Sequence, residues 1–157
     1  MTEQDNNTIE FLSSSPAETM KIGCRIGAAL KGGEVICLVG QLGSGKTHLV
    51  KGIAAGLGAD DAGQVNSPTF VLVNEYTGEN MRLDAYHIDA YRLESIEEFE
   101  MLGFDDMCYR RSVVLVEWAD KIMPVFADLD SVLIELSHIS ENQRRIIIKN
   151  FHSAISH

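Results

Sequence analysis

Residues 40–47 read GQLGSGKT and satisfy G-x-x-x-x-G-K-[ST] at every fixed position. Glycines in such a segment let successive backbone N–H groups curl inward around phosphate oxygens, and a helix N-terminus behind them adds positive potential. The candidate phosphate-binding residues are Gly40, Gln41, Leu42, Gly43, Ser44, Gly45, Lys46, Thr47 and, opening the next helix, His48. Lys46 is placed to reach the β- and γ-phosphates of a nucleotide, and the Thr47 hydroxyl to ligate Mg2+. A glycine-rich turn with a chance lysine is the plain alternative. An apolar strand before the motif and a helical period after it argue for the phosphate loop.

Such a loop needs a metal-side carboxylate ending a neighbouring buried strand. Residues 113–120, VVLVEWAD, are the one later segment of that shape, so Glu117 is the second candidate metal ligand and a catalytic candidate. It is expected across the carboxyl edge of the sheet, where ligands bind in open α/β folds. A solvated strand-end charge is its alternative. Asp120 competes and is read instead as the cap of the next short helix. In AYHIDAYRL, residues 85–93, His87, Asp89 and Tyr91 alternate and are expected on one face of a strand, with Tyr86, Ile88 and Ala90 as a core stripe on the other. Asp89 is a candidate for positioning an attacking water or for holding Mg2+ through water; pairing with Arg92 is the structural alternative. His87 is expected to hydrogen-bond Asp89, because Mg2+ prefers oxygen. In SPTF, Pro68 keeps Ser67 extended and Thr69 opens a strand, either as a γ-phosphate sensor or as an ordinary β-favouring residue. Trp118, the single tryptophan, fits a cleft wall, a partner contact or core packing.

These residues need elements to hold them. SSSPAETMKIGCRIGAALKGG predicts a first helix, with Ser15 as cap, Pro16 at the first helical position, Glu18 completing a capping box and Gly32-Gly33 ending it. EVICLVG predicts a buried strand leading into the loop, and KTHLVKGIAAGLG the helix after it. TFVLVNEY and MRLDAYHIDAY read as strands around the polar turn TGEN, an antiparallel hairpin. ESIEEFEMLGF reads as a short acidic helix with Ile96, Phe99 and Leu102 on one face, and DKIMPVFADL as a short broken helix. SVLIELSHI and RRIIIKNF read as two closing strands. The expected fold is α/β, P-loop NTPase-like, with a central, mostly parallel sheet carrying some antiparallel strands and flanked by helices. One domain over 1–157 is expected, with flexible ends at 1–8 and 152–157.

The composition, 45% apolar and 23% charged, is that of a globular chain, and no apolar run approaches the about 20 residues of a membrane span. The start is polar and lacks the features of a secretory signal, so a cytoplasmic location is expected. Cys24, Cys37 and Cys108 match no metal-ligand spacing and read as small apolar residues. With 13 Lys+Arg against 23 Asp+Glu, the net charge of −10 opposes phosphate backbones, so no stable direct nucleic-acid binding is expected and a protein partner is. The acidic stretch 94–106 is a solvated helix face or a docking surface for a basic partner.

Taken in order and at their spacing, LVGQLGSGKTHLVKGIAAGLG, VNSPTFVLVNEY, HIDAYRLES, LGFDD and VVLVEW closely resemble the TsaE family, formerly YjeE, across about residues 16 to 149. The resemblance implies a weak, Mg2+-dependent ATPase that works with TsaB and TsaD in threonylcarbamoylation of adenosine 37 in ANN-decoding tRNAs, without carrying the transferase chemistry. It implies ATP and Mg2+ as cofactors, and a monomer or weak oligomer when alone. Lys46 and Thr47 match the family's phosphate and Mg2+ residues, Thr69 its switch-like segment, Asp89 its H-x-D-x-Y-R segment, and Glu117 with Trp118 its strand-end pair. Gln41 stands where many members carry Asp, and His48 where a second Thr is usual. No arginine finger is assigned; Arg92, Arg110 and Arg111 are the candidates. Two rivals remain: a small-molecule kinase, which usually needs an arginine-bearing lid larger than any insertion here, and a non-hydrolysing nucleotide switch.

Overall fold

The structure, a computed structural model, describes residues 8–60, 73–76, 78–152 and 155. Seven strands form one sheet: β1 (Thr8–Ser13), β2 (Val35–Gly40), β3 (Val73–Tyr76), β4 (Asp84–Asp89), β5 (Ser112–Glu117), β6 (Val132–His138) and β7 (Arg144–Lys149). Their order is β1-β7-β6-β2-β5-β4-β3. The four central strands, β6, β2, β5 and β4, run parallel, and the flanks are antiparallel through β6–β7–β1 and β4–β3. The fold is thus α/β with a mostly parallel centre; the expected antiparallel pair β3–β4 is present, and the two expected closing strands pair antiparallel as β6–β7.

Burial explains the central strands. All six residues of β5 and the first four of β2 are buried, as expected of strands covered on both faces. On one face Ile36, Leu38, Val113 and Leu115 pack under α1 (Pro16–Ala29) and α2 (Lys46–Gly56). On the other, Val35, Cys37, Val114 and Val116 meet Phe99, Phe104, Ile122 and Phe126. That second layer comprises α3 (Ile96–Glu100), α4 (Phe104–Met107) and a 3-10 segment, Ala119–Phe126.

Helices α1 and α2 touch backbone to backbone. A Cβ on Gly23 would lie 2.5 Å from the Leu49 carbonyl oxygen, and one on Gly27 2.2 Å from that of Ile53. From the other side, a Cβ on Gly52 would lie 2.2 Å from the Met20 oxygen and one on Gly56 2.2 Å from the Cys24 oxygen. Four missing side chains create the seam that fixes the phosphate-loop helix against its neighbour.

Several local expectations are corrected. Ser15 caps α1 by accepting from the Glu18 N–H at 3.1 Å, but the Ser15 N–H makes no reciprocal bond to the Glu18 carboxylate among the described residues, so only half the capping box forms. Asp120 is not a cap: Trp118 occupies that position and Asp120 lies in the first turn of the 3-10 segment, whose break falls at Ile122. Strand β1 was not expected from its polar surroundings, yet it pairs with β7 from Thr8↔Lys149 to Ser13↔Arg144. Strand β4 ends at Asp89, so Tyr91 is not part of the alternating face.

Candidate nucleotide-binding cleft

The cleft lies at the carboxyl edge of the parallel strands. Gly43 (φ 80°) and Gly45 (φ 104°) take left-handed conformations that L side chains rarely adopt, which lets the loop after β2 reverse into α2. Gly45 is the N-terminal cap residue of α2, so Lys46 and Thr47 occupy its first turn. The loop closes on itself through Ser44 N–H to the Gln41 carbonyl at 3.0 Å.

The Lys46 ammonium donates to the Gly40 carbonyl, to the Gln41 carbonyl at 2.9 Å and to Ser44 Oγ at 3.4 Å. It also stands 3.9 Å from the centre of the Trp118 ring. Burial lowers its pKa from the ordinary lysine value, while Glu117, Asp120 and Asp89 pull the other way. The expected carboxylates arrive by strand register: Asp89 and Glu117 are direct partners across the parallel pair β4–β5. They share a face with the end of β2, since Leu38 also pairs with Glu117.

Behind Glu117 lies a pocket of buried polar groups. Glu117 is 5% exposed, and its Oε1 is 3.2 Å from His87 Nε2, within ion-pair range but outside hydrogen-bond geometry. His87, expected to bond Asp89, therefore faces Glu117 instead; Asp89 Oδ1 accepts from the Tyr91 N–H at 3.0 Å. Pairing of Asp89 with Arg92 is not seen among the described residues. Asn74, the register partner of His87, and Tyr76 contribute further buried atoms without hydrogen-bond partners among the described residues. Burial, aided by Glu117, pushes the Tyr76 hydroxyl pKa up.

A cleft of about 340 Å³ brings together Leu42, Gly43, Gly45, Lys46, Thr47, His48, Asp89, Glu117 and Trp118 from the expected set. Gly40, Gln41 and Ser44 do not line it, although the Lys46 ammonium bonds to all three; Thr69 lies outside the described residues. Trp118 takes φ 60° and ψ 35° directly after β5, and its ring packs 4.8 Å from that of Tyr91. Of the three roles open to it, the structure supports two: the ring lines the cleft and also packs against the second hydrophobic cluster. Sequence reasoning missed Pro16, Thr19, Tyr91 and Arg144, which also line the cleft. The sequence marks Pro16 only as a helix starter, and nothing in RRIIIK marks Arg144. Only the strand order brings β7 to this edge. Arg92, Arg110 and Arg111 are absent from the lining.

The donors suit a hard divalent ion. Thr47, Asp89 and Glu117 offer oxygen, and the buried Glu117 Oε1 lacks a hydrogen-bond partner. No group of three or more His, Cys, Asp or Glu side chains forms a metal cage among the described residues. A cage is not what Mg2+ requires, since it usually takes one or two carboxylates plus phosphate and water oxygens.

A phosphate loop at the carboxyl edge of a central parallel sheet, with two carboxylates beside it, defines a P-loop-like α/β protein. The crystal structure of YdiB from Bacillus subtilis has this fold, superposing with a TM-score of 0.70 at 29% identity over 95% of this chain and 86% of that one. The family model described as threonylcarbamoyl adenosine biosynthesis protein TsaE matches residues 13–146, and the chain belongs to that family. A relative from Treponema pallidum, named tRNA threonylcarbamoyladenosine biosynthesis protein TsaE, is 36% identical over 137 residues, 87% of this chain and 97% of the relative. One of the same name from Bacillus subtilis is 42% identical over 114 residues, 73% of this chain and 68% of the relative.

Proposed function

We propose that this protein is a Mg2+-dependent ATPase that serves tRNA threonylcarbamoyladenosine formation in the cytoplasm, together with TsaB and TsaD. Family membership supports the pathway, and one observation carries the chemistry: Lys46, Thr47, Asp89 and Glu117 converge on a single cleft. Thr47 and Glu117 would hold the metal, with Asp89 direct or through water. Mg2+ bound there would neutralise charge on the β- and γ-phosphate oxygens. Lys46 adds a second positive charge from the loop, and the N–H groups of the first turn of α2 supply fixed dipoles. Asp89 has one oxygen engaged by the Tyr91 N–H, leaving the other to orient a water for attack. Trp118 covers Lys46 and keeps bulk water from one side of it.

The test is phosphate release from ATP by the protein with TsaB and TsaD. Lys46→Ala is expected to weaken ATP binding at least about tenfold, the loss typical of a charged hydrogen bond. Glu117→Gln should leave ATP binding within a few-fold while cutting hydrolysis about hundredfold. Normal hydrolysis by either variant would remove the site assignment. A pull-down with TsaB–TsaD that showed no ATP-sensitive association would remove the partnership.

A further inference from the structure

Five buried polar atoms stand together without hydrogen-bond partners among the described residues: Asn74 Nδ2, the Tyr76 hydroxyl, His87 Nδ1, His87 Nε2 and Glu117 Oε1. Strand register puts all four side chains on one face of the sheet. Asn74 is paired with His87 across β3–β4, Tyr76 follows two positions later, and the Asp89↔Glu117 pair sets Glu117 on the His87 face. Asn74, Tyr76 and His87 are buried and none of them lines the cleft, so the row lies behind Glu117. A buried polar group without a partner is costly, and such a cluster points to bonds that these side chains are arranged to make.

Their donors and acceptors are complementary. An ionised carboxylate only accepts, so Glu117 Oε1 needs a donor, and His87 Nε2 stands 3.2 Å away, short of hydrogen-bond alignment. A neutral imidazole that donates from Nε2 must accept at Nδ1. Directly across the strand pair is Asn74, whose amide nitrogen only donates. Opposed residues of an antiparallel pair have Cβ atoms about 4.5–5.5 Å apart, which brings an asparagine amide within reach of an imidazole. Tyr76 closes the side of the row, its ring centre 6.4 Å from that of His87. Its hydroxyl can donate or accept and so selects no tautomer. We propose that Asn74 and His87 form a relay that positions Glu117: the Asn74 amide donates to His87 Nδ1, and the Nε2–H thereby fixed donates to Glu117 Oε1, leaving the other carboxylate oxygen for the cation. Asn74 is thus a positioning residue two side chains removed from the metal, in the manner of the outer partners that orient metal ligands. Its part in catalysis rests on the ATP reading above; the relay itself does not.

The tautomer is read in the protein without nucleotide or metal, by long-range proton–nitrogen correlation NMR of nitrogen-15-labelled protein at pH 8.5, with His87 assigned by its loss in His87→Gln. A neutral ring protonated at Nε2 is expected. In Asn74→Ala the Nδ1 resonance should move downfield, as an imidazole nitrogen does on losing a donor. Asn74→Asp keeps the shape but replaces the donor with an acceptor, and it should draw a proton onto Nδ1; it decides the matter if the alanine variant fails to fold. A wild-type ring that is mixed, protonated at Nδ1 or charged, or an Nδ1 resonance unmoved by either substitution, would overturn the relay whatever the ATPase shows. In phosphate release with TsaB and TsaD, Asn74→Ala should cost about fivefold, the worth of one neutral hydrogen bond, with ATP affinity within about twofold. Added to His87→Ala it should cost nothing further, and full additivity of the two losses would overturn the relay as well. A wild-type protein that released no phosphate would remove the ATP reading and leave the NMR result to judge the relay.

Discussion

Trp118 sits in a left-handed conformation that costs a non-glycine residue about 1–2 kcal/mol. In return the chain turns at once after β5, setting the indole over Lys46 while Glu117 stays at the strand end. As the single tryptophan it is also a built-in reporter. Its emission should change when Mg-ATP is added and stay constant in Lys46→Ala; an unchanged trace in the wild type would place the nucleotide elsewhere. His87 touches Glu117 but lines no part of the cleft, so His87→Ala is expected to lower phosphate release about tenfold with ATP affinity little altered, as supporting residues of metal ligands do. Steady-state rates and binding constants measured on one preparation would separate the two. The cysteines give a third expectation. Burial raises the Cys37 thiol from 9.0 to about 11, and only a thiolate reacts. At pH 8 iodoacetamide should therefore label exposed Cys24 and leave Cys37 unmodified, as mass spectrometry would show. A raised folded-state pKa stabilises below the unfolded value, so this contribution is complete below pH 9.0 and is lost as pH rises through about 11.

Elements were legible in proportion to how locally they are determined. Strands β2 and β5 announce themselves as short runs rich in valine and isoleucine, and α1 by its serine cap and proline. Strand β1 was not legible, because it buries only Phe11 and Ser13 and depends on pairing with β7, more than 130 positions away along the chain. Asp120 has the chemistry of a cap, but the left-handed turn at Trp118 places it two residues too late. The α1–α2 seam was hidden for a different reason: glycines at positions 23, 27, 52 and 56 look like weak helix formers until the opposing backbone is known. Gly27→Ala is expected to destabilise the fold by about 1–3 kcal/mol in urea denaturation and to weaken ATP binding, since α2 carries Lys46 and Thr47. Wild-type stability in that variant would mean the helices can part without penalty.

At the scale of the molecule, a net charge of −10 governs encounters. The protein alone is expected to show no tRNA binding in gel-shift assays at physiological salt, and binding that appears only when TsaB and TsaD are added would support the proposed partnership. That Lys46, Thr47, Asp89 and Glu117 meet in one cleft was legible because each carries a local signature. The flank bearing Pro16, Thr19 and Arg144 was not, since it exists only once the strand order is known. Among the described residues no helix is long and apolar enough to cross a membrane. The glycine seam has one more consequence. With backbones already in contact along Met20–Gly27 and Leu49–Gly56, α1 and α2 leave no gap between them, and ladder hydrogen bonds hold β2, β5 and β4 in register. A nucleotide held in the proposed site would therefore have to leave along the open mouth rather than through a widening floor, at a rate set by whatever covers that mouth.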